Sequence, residues 1–294
     1  MKSIFITGGS GFVGNNLINC FCSFYKIVRF KRGFSAQVEQ DIVIHVAGKA
    51  HDLRKTSNSD EYYKVNAELT KEIFDAFLVS EAKVFITLSS VKAVADVVEG
   101  ALTEEFTPHP ITHYGKSKLL AEQYILSKEI PEGKRVYILR PCMIHGTGNK
   151  GNLNLLYKIV SKNIPWPLGA YSNKRSFCSI DNLMFIFNEL MEREDIPSGI
   201  YNVSDDEALS TNELINLIAQ SQNMKPRIWN ISKGLIESLV VIGDKLHLPL
   251  NTERLQKLTS SYEVSNRKIK AAIGKPLPMS SREGLLKTFK SFYS

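Results

Sequence analysis

Tyr114 and Lys118 stand four residues apart in Tyr114-Gly115-Lys116-Ser117-Lys118. On a helix that spacing puts a phenol and an ammonium on one face. A cation beside a phenol favours the phenolate, so Lys118 is expected to lower the Tyr114 pKa toward neutrality and make it a general acid or base. The spacing is common by itself, and Tyr124 with Lys128 repeats it. Tyr124 is expected mid-helix, facing away from Tyr114. Tyr114 falls at a helix start after Pro108 and Pro110, where a site is accessible. Ser89-Ser90 follow the apolar run Val84–Leu88 and so cap a strand. In open α/β sheets ligands bind at that end. A serine there can hydrogen-bond both a substrate oxygen and the tyrosine. Proton transfer at an oxygen that Ser90 polarises is the chemistry these residues can do.

A second group suits phosphate. The strand Ser3-Ile4-Phe5-Ile6-Thr7 runs into Gly8-Gly9-Ser10-Gly11-Phe12-Val13-Gly14. Gly9-x-Gly11-x-x-Gly14 between a strand and a helix is a dinucleotide pattern. Gly9 is expected to permit the tight turn, Gly11 to admit a pyrophosphate to the backbone, and Gly14 to let the helix pack on the strand. Free N–H groups and a positive dipole end at the helix start would receive the phosphates. The bland alternative is a glycine-rich turn with no ligand.

These residues need a scaffold, and the pattern supplies one. Strands are expected at Ser3–Thr7, Lys26–Arg29, Ile42–Val46, Val84–Leu88 and Val136–Arg140, and helices at Val13–Cys22, Glu61–Ser80 and Tyr114–Lys128. This alternation predicts an α/β fold with a doubly wound, parallel Rossmann-type sheet. The second half is less regular. Asn163–Gly169 reads as a rigid loop. Ser210 and Glu213 read as a capping box, and Gly234 to Leu246 as a helix. The expected division is a nucleotide-binding domain of residues 1–150 plus roughly 174–206. A smaller α/β substrate lobe takes 151–173 and 207–294.

The chain has 294 residues, a formal net charge of +7 and 43% hydrophobic residues. It is long enough for one domain and a smaller lobe. No apolar run reaches the length of a membrane span, and Lys2 is followed by only a strand's length of apolar residues before the glycines. A cytoplasmic protein with no membrane insertion is expected. The basic residues are scattered, with clusters at Arg29-Lys31-Arg32 and Lys268-Lys270. Nucleic acid would require a basic stripe interleaved with aromatics. An anionic small molecule suits the bias better. Cys20, Cys22, Cys142 and Cys178 show no second pair at metal spacing, so reduced thiols and no metal are expected.

The combination Thr7-Gly8-Gly9-x-Gly11-x-x-Gly14, Ser90 and Tyr114-x-x-x-Lys118 resembles the extended short-chain dehydrogenase/reductase family of sugar-nucleotide epimerases, dehydratases and reductases. Further matches are His45-Val46-Ala47-Gly48, Asn66 after Tyr63-Lys64-Val65, Arg140-Pro141, and Arg175-Ser176-Phe177 with Asp181-Asn182-Leu183. Four stretches resemble a bacterial polysaccharide branch: Ser89-Ser90-Val91-Lys92, Lys150-Gly151-Asn152, Pro165-Trp166-Pro167-Leu168-Gly169-Ala170 and Asn173-Lys174-Arg175-Ser176. That branch holds 4-keto reductases of UDP-2-acetamido-2,6-dideoxy-hexulose and UDP-hexose 4-epimerases.

The resemblance implies roles. Tyr114 would donate the proton, Lys118 would hold the nicotinamide ribose and tune Tyr114, and Ser90 would polarise the keto oxygen. Gly8 to Gly14, Val46, Ala47, Gly48, Asn66, Ser89 and Pro141 would line the cofactor. Asn152 and Arg175 would contact UDP phosphates, Arg254 would add a second phosphate contact, and Leu168 with Gly169 would border the uracil. His113, before Tyr114, stands where relatives usually carry proline and reads as a loop residue. No residue from Lys26 to Ala36 is acidic. Basic residues there suit a ribose 2′-phosphate, so NADP(H) held by Arg29, Lys31 or Arg32 is expected, with NAD(H) as the alternative. The stretch from Gly33 to Asp41 is too short for the strand and helix that the family usually places there. Val91-Lys92 replaces the Asp-Glu pair of a dehydratase. The expected activity is therefore NADPH-dependent 4-keto reduction. The alternatives are a UDP-hexose 4-epimerase with retained NAD and a non-catalytic NADP-binding regulator. Family habit implies a homodimer through the helices at Glu61–Ser80 and Tyr114–Lys128.

Overall fold

Short apolar runs broken by glycine-rich or polar turns form strands here, and each is followed by an amphipathic stretch that closes over one face of the sheet. The computed structural model describes residues 1–31, 33, 36–50, 59–149, 152–245 and 251–292. The first elements are β1 (Ser3–Thr7), α1 (Phe12–Phe21), β2 (Lys26–Arg29) and β3 (Ile42–His45). Next come α2 (Ser59–Tyr63), a π-helical turn at Lys64–Glu68, α3 (Leu69–Val79), β4 (Val84–Leu88), β5 (Ala101–Leu102) and α4 (His113–Leu126). Then follow β6 (Arg135–Pro141), β7 (Met143–His145), α5 (Asn152–Ser161), β8 (Phe177–Ser179), α6 (Ile180–Glu192) and β9 (Gly199–Val203). The chain closes with α7 (Thr211–Ser221), α8 (Lys233–Lys245), α9 (Thr252–Thr259), β10 (Glu263–Val264), α10 (Arg267–Ile273) and α11 (Ser281–Lys290).

Six strands form one sheet in the order β2-β1-β3-β4-β6-β9. Every pairing in it is parallel. This is the expected Rossmann-type α/β architecture. Strand order reverses between β1 and β3, so the crevice for a ligand opens beyond their carboxyl ends. Alternate strand residues feed opposite faces. Ile4, Ile6, Ile42, Ile44, Val84, Ile86, Tyr137 and Leu139 join Leu17, Phe21, Leu183 and Phe187 on one side. Phe5, Val43, Phe85, Val136 and Ile138 join Ile73, Phe74, Phe77 and Ile125 on the other. A third apolar cluster lies in the later part of the chain, around Leu156, Trp166, Leu214, Ile218 and Phe289.

Several element ends differ from expectation for local reasons. β3 stops at His45 because the Ala47 N–H turns away to the Thr7 hydroxyl (3.2 Å). β6 extends to Arg135 and Pro141, which pair with Val84 and Val203. The single helix expected at Glu61–Ser80 is broken by the π-helical turn, which carries Asn66 inward to full burial. Between β2 and β3 the described residues form neither strand nor helix. Ser210 and Glu213 form the expected capping box, and Ser280 with Glu283 form a second one. α8 begins at Lys233, and Leu246, the expected end, lies outside the described residues. Among the described residues no helix is long and apolar enough to cross a membrane. The four cysteines are free thiols, Cys20 and Cys22 exposed and Cys142 and Cys178 buried.

Candidate active site

The glycine loop sits at the reversal point of the sheet. The left-handed residue of its turn is Gly8 (φ +71°), while Gly9, expected to permit the tight turn, has no positive φ. Gly8 takes that role because its backbone presses on the next strand's exit: a Cβ there would lie 2.5 Å from the Ala47 nitrogen and 2.7 Å from the Val46 carbonyl carbon. Gly14 is packed as expected. A Cβ on it would overlap the Gly8 carbonyl oxygen and lie 2.7 Å from the Gly9 Cα. Gly11 caps α1 without a side chain, and no acidic residue occupies the first turn. Ser10, Phe12 and Val13 are thus held at a helix end whose N–H groups and dipole favour an anion. The backbone cradle fits a dinucleotide pyrophosphate.

Ser90 lies just past the carboxyl end of β4, is 7% exposed, and caps a short 3-10 turn by accepting the Lys92 N–H (3.2 Å). Thr112 caps α4 through the Gly115 N–H (3.2 Å), which sets Tyr114 on the helix's first turn. Gly115 is obligatory for this approach, since a Cβ there would collide with the Lys92 carbonyl oxygen. The structure corrects the expected tuning of Tyr114. Burial pushes the phenol pKa up, the Ser90 hydroxyl pulls it down, and the nearby Tyr62 adds to the rise. The Tyr62 ring meets the Tyr114 ring edge-on at 6.4 Å. Lys118 is 6% exposed, and its Nζ donates to the Leu88 carbonyl (2.8 Å). Burial lowers the Lys118 pKa to about 8, against an upward pull from Glu122. Gly48 faces Lys118 directly, its Cβ direction ending 3.1 Å from Nζ.

Other expected contacts fall at different depths. Asn66 is fully buried and uses its amide on protein: Oδ1 accepts the Lys49 N–H (2.8 Å), and Nδ2 donates to the Lys49 carbonyl (3.1 Å) and Ser117 (3.0 Å). It holds the strand exit at Gly48 in place. The Ser89 hydroxyl donates to Glu122. Val46 and Pro141 lie at the exits of β3 and β6. Arg29 ends β2 with its stem 3.6 Å from the Cβ direction of Gly9, while Phe30 turns under the sheet against Phe5. Lys31 is exposed, and Arg32 lies outside the described residues. Arg175 is partly buried, which holds its guanidinium pKa below the usual value, and its backbone bridges Leu209 and Tyr262. Lys92 lies 4.2 Å over the Tyr262 ring, and the Arg175 charge adds to the lowering of its pKa that burial begins. Leu168 is buried in the third cluster and Gly169 is pinned to Trp229 (3.0 Å). Asn152 opens α5 and Arg254 lies within α9; their side chains lie outside the described residues, as do Lys150 and Gly151. His113 is the first residue of α4 rather than a loop residue, and its ring meets the Tyr63 hydroxyl at 3.1 Å. Tyr124 points elsewhere, its hydroxyl donating to Asp75 (2.7 Å).

The NAD dependent epimerase/dehydratase family matches residues 20–204. The chain belongs to that family. Its membership meets the expectation of an NAD(P)-dependent enzyme of the extended short-chain dehydrogenase/reductase type. A UDP-glucose 4-epimerase from Vibrio cholerae is 27% identical over 319 residues, covering 99% of this chain and 95% of that protein. A GDP-6-deoxy-D-mannose reductase from Pseudomonas aeruginosa is 27% identical over 191 residues, covering 61% of this chain and 62% of that one. The crystal structure of a UDP-N-acetylglucosamine 4-epimerase from Bacillus cereus superposes with a TM-score of 0.77 at 19% identity, covering 100% of both chains. That last likeness speaks to the fold.

In this epimerase/dehydratase family member, sequence reasoning missed a buried ionic cluster. Glu122 is 1% exposed and Arg140 3%. Arg140 donates from Nε to Oε1 (3.0 Å) and from Nη2 to Oε2 (2.5 Å) of Glu122. A signal existed: Glu122 follows Lys118 by one helical turn, on the face turned to the core. Tyr62 gave none, because it reaches the site from another helix. Among the described residues no cluster of His, Cys, Asp and Glu is arranged to hold a metal.

Proposed function

We propose that this protein performs redox chemistry at C4 of a nucleotide-activated sugar with NAD(P) as hydride carrier, and that its net reaction is 4-epimerisation of a UDP-hexose or UDP-N-acetylhexosamine. The observation that carries the reading is Tyr114 beside Ser90 at the exit of β4, with Lys118 bonded to the Leu88 carbonyl of that strand and facing Gly48 at the exit of β3. The near full-length match to an epimerase favours epimerisation over net reduction. A bound dinucleotide would supply hydride acceptance and return. Tyr114 would take the proton from the sugar O4 and return it to that same oxygen once C4 has been reduced from its opposite face. Ser90 would orient that oxygen by hydrogen bonding, and the Lys118 ammonium would stabilise the phenolate and the ribose. Arg175, with Asn152 and Arg254, would hold the diphosphate, and Leu168–Gly169 would border the base.

NADPH-dependent 4-keto reduction is the second reading, and Arg29 favours it. Its stem rests against the glycine loop where a ribose 2′-group would end, and no carboxylate lies from Lys26 to Ala36. A non-catalytic regulator is disfavoured because both Tyr114 and Lys118 are retained. The division into residues 1–150 with 174–206, and 151–173 with 207–294, is proposed as cofactor and substrate lobes. A homodimer through α3 and α4 is proposed too, supported by exposed Leu120 and Leu126 on α4.

The test is direct. Purified protein is mixed with UDP-N-acetylglucosamine or UDP-glucose without added cofactor, and in parallel with NADPH and UDP-2-acetamido-2,6-dideoxy-4-hexulose. Interconversion in the first supports the epimerase; stoichiometric NADPH loss only in the second overturns it in favour of the reductase.

A further inference from the structure

Arg140 and Ser89 hold the Glu122 carboxylate one helical turn from Lys118, beneath the proposed catalytic groups. Lys118 and Glu122 lie one turn apart on α4, and Arg140 reaches Glu122 from β6 with two hydrogen bonds, 3.0 and 2.5 Å. The Ser89 hydroxyl donates to the same carboxylate from the exit of β4. All four residues are buried. The Lys118 ammonium has one hydrogen bond to a backbone carbonyl, Leu88, at 2.8 Å. Burial in such surroundings disfavours a charged lysine unless a counter-charge is near. Among the described residues, the titratable groups coupled to Lys118 are Glu122 on its own helix, itself paired with Arg140 from β6, and His45 from β3. Lys49, on the neighbouring strand exit, pairs its ammonium with Glu61. His45 is held neutral by burial, and among the described residues Glu122 is the counter-charge.

We infer that Glu122 is a positioning residue that keeps Lys118 cationic, and that Arg140 sets how much of the Glu122 charge Lys118 feels. This rests on the proposed role of Lys118 as the cation that stabilises the phenolate formed in the reaction and the cofactor ribose. The arrangement is not a stability device in the ordinary sense, because a buried ion pair is seldom worth more than an apolar replacement. Its use lies in the third member. Arg140 and Ser89 spread the carboxylate charge and fix its direction. Burial lowers the Lys118 pKa to about 8, and the Glu122 carboxylate one turn away pulls against that fall. A carboxylate freed from Arg140 would pull it further up.

The consequence is a pair of opposite shifts. Glu122→Gln removes the counter-charge and should lower the Lys118 pKa by about one unit or more. Arg140→Gln frees the carboxylate and should raise it. The experiment labels the full chain with [13Cε]lysine, assigns Lys118 by its disappearance in Lys118→Met, and follows its chemical shift from pH 6 to 11. Each single variant leaves a buried ion without its mate and can fail to fold. The double variant Glu122→Met with Arg140→Met leaves none, and is expected to fold and to show Lys118 lowered. Opposite shifts in the single variants, or a lowered Lys118 in the double variant, support the inference. A Lys118 midpoint unmoved in every folded variant, or moved the same way by both single variants, overturns it, since a merely structural pair would do that. The titration needs no substrate, so the two readings fail separately. Full turnover in Tyr114→Phe and Lys118→Met would sink the catalytic reading while leaving the measured coupling intact.

Discussion

The Gly8 carbonyl oxygen fills the space that a Cβ on Gly14 would need. The start of α1 is therefore docked on the loop after β1 with no room for a methyl group, and the N–H groups at the helix end are aimed by that docking. Gly14→Ala must push the helix away. Fluorescence titration should show NAD(P)H binding weakened more than about tenfold, the size of one lost charge-assisted hydrogen bond. Gly234→Ala, in open space on α8, is the control: it should leave binding unchanged. Equal binding by Gly14→Ala and the parent would remove the phosphate role from this helix end.

Tyr114 is held at the first turn of α4 by the Thr112 cap and lies beside Ser90. On the proposed mechanism, loss of the hydroxyl removes the proton carrier and little else. Tyr114→Phe should lower kcat by about 10²- to 10⁴-fold, the usual worth of a general acid or base. UDP affinity by calorimetry should stay within about twofold. A variant that loses UDP binding while the bound fraction turns over normally would make Tyr114 a binding residue instead.

The parallel sheet was legible because its strands are apolar on both faces: Ile42-Val43-Ile44 and Val84-Phe85-Ile86 offer no other use for such runs. Tyr114, Lys118 and Ser90 were legible for a related reason, since spacing along one element and position at a strand end are local facts. What escaped was set by other elements. Nothing near Tyr114 announces that its pKa rises, because the burial and the Tyr62 ring responsible come from α2. The π-helical turn escaped for the same reason: Asn66 is drawn inward by Lys49 and Ser117, from two distant stretches. Glu122 carried a helical-spacing signal, but its meaning needed Arg140, which arrives on a different strand.

His45 offers a test of the buried hydrogen-bond chain. Its ring is fully buried between Thr7 (2.8 Å) and Thr70 (2.9 Å). Thr70 donates its own proton to the Asn66 carbonyl (2.7 Å), so it accepts from Nε2–H, and Nδ1 accepts from Thr7. Burial, aided by the Lys118 charge, lowers the His45 pKa to about 3. The unfolded chain titrates near 6.5. Between those values the unfolded state binds the extra proton, so this contribution to stability is present above about pH 6.5 and is lost as pH falls toward 3. Urea unfolding from pH 7 to 4 should show stability falling, by up to about 1.4 kcal/mol per pH unit for this one proton. His45→Asn should be less stable at pH 7 and less steep below 6.5. Equal slopes would mean that the ring is not kept neutral.

The proposed 2′-phosphate contact of Arg29 can be tested by the choice between the two cofactors. Its side chain leaves the end of β2 on the side of Gly9, while the next residue, Phe30, is committed to the apolar layer against Phe5. A cation there can meet a 2′-phosphate, and it has no carboxylate neighbour in sequence to turn it away. Charge-assisted hydrogen bonds of this kind are worth about 1.5–3 kcal/mol. Arg29→Ala should then raise the Kd for NADPH by about tenfold or more and leave that for NADH nearly unchanged. Arg29→Glu should reverse the preference, since a carboxylate repels the phosphate and accepts hydrogen bonds from a free ribose. If both Kd values stay level in both variants, Arg29 is a solvated turn residue and the reductase reading loses its main support. A parent protein that binds NADH more tightly than NADPH would weigh the same way, toward an epimerase with NAD.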